Sequence, residues 1–223
     1  MAIDDSRAAL EPTGRTTLRR KRERGIHDRE LINAILDEAL VAHVGFVAPH
    51  GPVVLPMTYV RIGGDLFLHG AAGNDLLRHL AGGAEVCVTV TLIDGLVFAR
   101  SAFHHSMNYR CVVLFGRATR VTDPALMRAV SAGLLDHLAP GRSSDARPPT
   151  DEELRSTLIV EVPIVEGSAK VRSGGPIDEP DDLGLTVWAG ELPLHLAAGT
   201  PRPDAPDGAE VDQPAYIAHH PSS

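Results

Sequence analysis

After residue 43 the apolar residues of this chain stop recurring at helical spacing and fall into short extended runs, which restricts the folds open to it. Residues 44–48, 53–62 and 65–69 form such runs, broken by Pro49-His50-Gly51-Pro52 and by Gly63-Gly64. The run at 85–93 meets another at 95–102 across Asp94-Gly95, a dipeptide that favours a hairpin turn. Residues 109–121, 158–165 and 168–172 add further β-branched and apolar stretches. Parallel neighbours need crossovers of about a dozen residues or more, and the helical stretches here are too few to supply them. The expectation is a mainly β protein with peripheral α, about six antiparallel strands closed into a barrel that avoids free edges. Val86, Val88, Val90 and Leu92 share one strand face, while Cys87, Thr89 and Thr91 share the other. The first suits a filled interior, and the second suits cover by a helix or a partner subunit.

Helices fit around this β framework. Leu31, Ile32, Ile35, Leu36 and Leu40 follow a capping Asp28 at helical spacing, residues 74–80 read as a short helix, and Asp123-Pro124 opens a third that reaches 137. Residues 140–149 read as a loop. One domain is expected over 26–195. A basic arm at 1–25, ordered by a partner surface, precedes it, and 196–223, rich in Pro, Ala, Asp and Gly, is expected to be disordered.

With 43% apolar and 22% charged residues the composition is globular, and a formal charge of −8 argues against a polyanion as partner. Arg15, Arg19, Arg20, Lys21, Arg22 and Arg24 do crowd into ten positions, but without an aromatic platform or helix-turn-helix pattern they read as a solvated arm, so no nucleic acid is expected. Cys87 and Cys111 are not closely spaced and read as buried small residues. No stretch approaches the ~18 apolar residues of a membrane span, and the first residues lack a secretory pattern, so a cytoplasmic location is expected.

Residues 100–110 place two histidines, two hydroxyls, an amide and two arginines between strongly apolar strands. Such a set can recognise the edge of a flat heteroaromatic ring while Met107 and Tyr109 cover a face; the bland alternative is a solvated polar loop. His104 and His105 are adjacent, so on an extended strand they point to opposite sides and do not share a metal. Ser101 or Ser106 with His105 and Asp94 lacks the G-x-S-x-G elbow of a hydrolase. The glycine pairs at 63–64, 82–83 and 174–175 fit turns, not a phosphate loop.

The run from His104 to Arg110, followed by Val112-Val113-Leu114-Phe115-Gly116, resembles a stretch of the pyridoxamine 5'-phosphate oxidase-like flavoproteins, in the branch related to nitroimidazole resistance. His43-Val44-Gly45-Phe46, Leu55-Pro56-Met57, Leu68-His69-Gly70-Ala71, Cys87-Val88-Thr89-Val90-Thr91, Asp94-Gly95-Leu96-Val97, Lys170-Val171-Arg172 and Trp188-Ala189-Gly190 extend the resemblance over roughly residues 15–195. It implies an FMN-binding split barrel, six-stranded and antiparallel, working as a homodimer with FMN at the subunit interface. It further implies a flavin-dependent oxidoreductase acting on a small molecule, with His105 and Tyr109 as catalytic groups. Cofactor binding would fall to Leu55, Pro56, Met57 and Thr58 along the ring, and to His69, Gly70 and Asn74 around the phosphate. Ser106, Asn108, Arg110 and Trp188 would complete it. Relatives carry a basic residue near position 75, where this chain has Asp75, so Arg78 or Arg110 is expected to answer the phosphate. Two other readings stay open: a flavin carrier without turnover, and a split barrel binding haem or deazaflavin.

Overall fold

The computed structural model describes residues 9–204 and 212–218. In chain order the elements are β1 (Gly25–Ile26), α1 (Arg29–Glu38), β2 (Ala42–Ala48), β3 (Gly51–Met57), β4 (Tyr59–Ile62), β5 (Asp65–Ala71), α2 (Asp75–Ala81) and β6 (Glu85–Phe98). There follow β7 (Ser106–Arg117), β8 (Thr119–Arg120), α3 (Pro124–Leu138), α4 (Arg142–Asp145), α5 (Asp151–Ser156), β9 (Thr157–Pro163), β10 (Glu166–Arg172), β11 (Gly190–Pro193) and α6 (Ala215–Ala218). The strand pairings among the described residues are all antiparallel.

Two sheets make the split barrel. One runs β1-β10-β7-β6-β2-β3, with β11 added beside β6, and the other runs β4-β5-β9-β8. The chain passes between them at four places: Thr58 between β3 and β4, 72–84 with α2 between β5 and β6, Ala118 between β7 and β8, and 164–165 between β9 and β10. The run expected as one strand over 53–62 is therefore two, because the core is closed only if the chain changes sheet there. Val44, Val88, Val90, Val112, Leu114 and Ala169 face Leu66, Leu68, Leu158, Val160 and Val162 in a single buried cluster. Alternate residues of the second sheet, Val60, Phe67 and Ile159, turn outward and are covered by Val130 and Leu134 of α3, the period-2 exchange of faces that strands impose. Helix α1, capped by Asp28, whose carboxylate accepts from Leu31 N at 2.8 Å, sends Ile32, Ile35 and Leu36 into the same core. Tyr59 is fully buried, and its hydroxyl donates to Leu36 O at 2.5 Å, which meets the need of a buried phenol for a partner.

The hairpin expected at Asp94-Gly95 does not form. Residues 85–98 are one fourteen-residue strand, and both halves pair with β7 across a register shift between Ile93 and Gly95. Asp94 is the extra residue of a bulge, and Gly95 lies where a Cβ would sit 3.0 Å from Leu192 O of β11. A glycine in a strand marks a bulge or a close backbone approach, and here it marks both.

The first and the last described segments both touch the domain. Leu10 is buried, its N–H bonded to His27 O at 2.8 Å, and the Thr13 hydroxyl donates to Glu166 at 2.5 Å. This part of the basic arm is thus seated on β10 of its own domain, where a partner surface was expected; residues 1–8 lie outside the described residues. Of the expected tail, 205–211 and 219–223 also lie outside them, 196–204 have no regular structure, and Tyr216 in α6 donates to Asp145 at 2.7 Å. The loop expected at 140–149 contains the single turn α4. No described helix is long and apolar enough to cross a membrane.

The seat of the arm depends on a residue without a side chain. A Cβ on Gly167 would stand 2.5 Å from Leu114 Cδ2 and 2.9 Å from Val113 O. Gly167→Ala should therefore destabilise by about 1–3 kcal/mol, seen as a lower urea midpoint at unchanged slope.

Candidate functional site

The residues implicated by sequence fall into two clusters. The first gathers where β3 and β5 end. Tyr59 pairs with Leu68, so Thr58 and His69 are the next residues on adjoining strands. Leu55 and Met57 turn toward the core, and Pro56 is exposed on an edge strand, where its missing N–H costs no ladder bond. Gly70 admits Leu77: a Cβ there would lie 3.0 Å from Leu77 Cδ2. His69 is half-buried, its Nδ1 is enclosed without a hydrogen-bond partner, and burial lowers its pKa.

The phosphate cradle expected beside it is engaged from within. Asn74 is the N-cap of α2, its side-chain oxygen accepting from Leu76 N at 3.0 Å and Leu77 N at 3.2 Å. Arg78 is exposed and paired with Asp75. The amides and the cation that an anion would use are therefore held by the chain itself.

The second cluster begins at the far half of β6. Ser106 and His105 are exposed, and His105 Nδ1 is bonded to Ser101 O at 2.9 Å, its ring edge-on to Phe98 at 5.9 Å. Asn108 is buried: its amide nitrogen donates to Glu191 at 2.8 Å, and its oxygen accepts from Arg172. Arg172, also buried, donates further to the carbonyls of Gly174 at 2.6 Å and Gly175 at 2.8 Å. Tyr109 lies half-buried with Lys170 Nζ 5.8 Å from its ring centre. Trp188 is exposed and lies beside Phe98, ring centres 5.8 Å apart.

Arg110 is held by two carboxylates. It donates to Asp94 at 2.7 and 3.0 Å and to Glu38 at 2.7 Å. These bonds drive its pKa above the ordinary arginine value. One guanidinium against two carboxylates leaves the group net negative, which disfavours a phosphate beside it. The triad borders a cavity of about 850 Å³ whose wall includes Leu40, Leu92, Leu138, Leu194, His137 and His195.

The two clusters do not meet within one chain. β3 reaches β6 through β2, and His43 of β2 pairs with Thr89, whereas Asn108 pairs with Gly95. Six residues of strand separate these points, roughly 20 Å at ~3.3 Å per residue. Sequence reading leaves out Glu38, Glu191, and the ion pair of Arg100 with the covered Asp178 at 2.7 Å. Asp94 it takes for a turn residue.

A family model described as pyridoxamine 5'-phosphate oxidase matches residues 28–171, from the cap of α1 almost to the end of β10. The chain belongs to the pyridoxamine 5'-phosphate oxidase family. Two solved structures are alike over nearly its whole length. A flavocytochrome from Azotobacter vinelandii is 34% identical with a TM-score of 0.87, covering 94% of this chain and 97% of that one. The FAD and heme binding protein from Mycobacterium smegmatis is 36% identical with a TM-score of 0.82, covering 87% and 96%. A search of curated proteins gives no match. As a member of this flavin-binding family the chain carries the two clusters just described on a split barrel, at levels six residues apart along β6.

Two tests address the clusters. Arg172→Ala removes the donor to three acceptors and should cost about 3 kcal/mol, with faster proteolysis within 173–196. Because burial depresses the His69 pKa, its neutral form is favoured in the fold. Stability is therefore lost as pH falls below the unfolded histidine value of about 6.5. His69→Phe should shrink the difference in urea midpoint between about pH 7.5 and 5.5 relative to the parent.

Proposed function

We propose that this protein is a flavin-dependent redox protein that also carries haem, a homodimer with its flavin between the two copies. What supports the reading is the likeness, at 34% and 36% identity over 94% and 87% of this chain, to a flavocytochrome and to an FAD- and heme-binding protein. The family resemblance implies FMN; the second relative is named for FAD, and FAD is the form proposed here. When bound, the flavin would accept a hydride from a small molecule and release electrons singly toward haem iron.

The outer face of the larger sheet supports the dimer. It exposes Val47 at 72%, Val54 at 64% and Ile93 at 51%, beside Pro52 and Pro56, and no described element covers it as α3 covers the other sheet. Val47, Val54, Pro52 and Pro56 are neighbours across β2 and β3, and apolar exposure of this kind marks an interaction surface. A second copy packed face to face would bring one copy's β3–α2 cluster against the other's 105–110 segment and close the 20 Å gap.

Within that site His105, its Nδ1 bonded to Ser101 O at 2.9 Å, offers Nε2 for a proton at the ring edge, and Tyr109 offers a hydroxyl. The 850 Å³ cavity is lined by aliphatic side chains, by Asp37, Glu38, Asp94 and Asp136, by Arg61 and Arg110, and by His137 and His195; its size and its imidazoles support a porphyrin as occupant. His137 Nε2 is bonded to Ala39 O at 2.8 Å, which leaves His195 as the imidazole with more freedom to ligate.

The purified protein should show flavin bands and a Soret band and release FAD on denaturation. Absence of flavin bands after reconstitution with FAD or FMN sinks the reading, and release of FMN alone corrects the cofactor. Val54→Asp should raise the dimer dissociation constant at least about tenfold, or ~1.4 kcal/mol, in light scattering, and lower flavin occupancy with it. A monomeric parent that retains flavin at micromolar concentration ends the shared-site picture.

A further inference from the structure

Phe98, His105 and Trp188 form an ordered aromatic group that the core does not use. Phe98 closes β6 opposite Gly190 of β11. The Trp188 ring lies over the bare Cα of that glycine, where a Cβ would stand 3.0 Å from Cζ2 and 3.1 Å from Cη2. Its centre is 5.8 Å from the Phe98 ring, which meets His105 edge-on at 5.9 Å. Trp188 is thus posed by its neighbours yet 68% exposed. Burying an indole is the ordinary reason to order one, and here that reason is missing.

The surroundings say what kind of ring would fit. Glu191 stands next to the aromatic group, Glu179 lies 3.4 Å from His104 Nε2, and Asp178 is bonded to Arg100. The cations are engaged, Arg100 by Asp178 and Arg172 by Asn108 and two carbonyls. A rim rich in acceptors and short of free positive charge disfavours a phosphate in direct contact with it, so the phosphate of a nucleotide resting here would lie beyond the ribose, outside the rim. It suits a flat, uncharged heterocycle with an amino donor on its edge and hydroxyl donors on the attached sugar. Adenosine has that chemistry, and of the two flavin nucleotides FAD alone contains it.

We propose that Trp188, backed by Phe98 and Gly190, is the stacking platform for the adenine ring of FAD, and that it sets the choice of FAD over FMN. The inference rests on the flavin reading and is tested apart from it. Trp188 is the single tryptophan of the chain, so its emission reports on this spot alone. Adenosine 5'-monophosphate should quench it saturably in the flavin-free protein, whereas ribose 5-phosphate should not. Trp188→Ala should weaken FAD binding roughly tenfold to a hundredfold, as loss of one base–aromatic stack does, and leave FMN binding within about twofold, with Trp188→Phe restoring most of the loss. Gly190→Ala keeps the indole but displaces it, and should repeat the effect in smaller measure. Equal weakening of FAD and FMN, no change in either, or no quenching by the monophosphate overturns the platform even where flavin binds. A parent protein that binds neither flavin while the monophosphate still quenches overturns the flavin reading and the selectivity, and leaves a nucleotide platform standing.

Discussion

Strand β6 carries two unlike tasks on one backbone. Its first half is a barrel stave, paired with β2 on one side and β7 on the other, with Val86, Val88 and Val90 in the core. Its second half leaves the barrel and pairs with β11. The bulge at Asp94 makes the transition, and a bulge turns one side chain away from the pleat. The Asp94 carboxylate meets Arg110, which also holds Glu38. Glu38 is the last residue of α1, where the helix dipole is unfavourable to an anion. Arg110 offsets that repulsion, ties the helix end to the bulge, and fixes where the outer half of β6 points. Its charge serves the frame, which explains why it is poorly placed to serve a phosphate.

The two sheets differ in what lies outside them. α3 covers the smaller sheet through Val60, Phe67 and Ile159. On β2, β3 and β6 the larger sheet presents small or β-branched residues, Gly45, Val47, Val54, Thr89 and Thr91, on a face that no described helix covers, while further across it Arg15 of the arm lies over Phe115. A flat surface of short side chains lets a planar ring or a second sheet approach the backbone closely. The separation of the candidate site into halves some six residues apart along β6 has the same implication, since a rigid stave cannot bend to join them.

Period-2 burial makes the strands legible, and capping chemistry makes α1 and α3 legible, down to Asp28 and Asp123, while α2 is legible as a short helix and its cap at Asn74 is not. The hairpin at Asp94-Gly95 was misread because a local turn preference competes with a long pairing partner, and twelve residues of β7 supply more ladder bonds than a two-residue turn can replace. Strand 53–62 was misread for a related reason: the change of sheet at Thr58 leaves no mark in composition. The site was legible as a set of residue types but not as a set of bonds. Glu38 lies 72 positions from Arg110, and Glu191 lies 83 from Asn108, separations at which periodicity carries no information. Asn74 shows the converse, since a good N-cap and a good phosphate ligand are the same residue type, and only coordinates distinguish the roles.

Asn108 is shared: Glu191 of β11 takes its amide nitrogen, and Arg172, which also binds the backbone at 174–175, takes its oxygen. Asn108 and Arg172 are buried, so breaking the bond between them leaves an unsatisfied partner, not one rehydrated by solvent, whereas Glu191 lies exposed at the edge of the network. The segment from 173 to 193 is therefore ordered by the same residue that opens the 108–110 stretch.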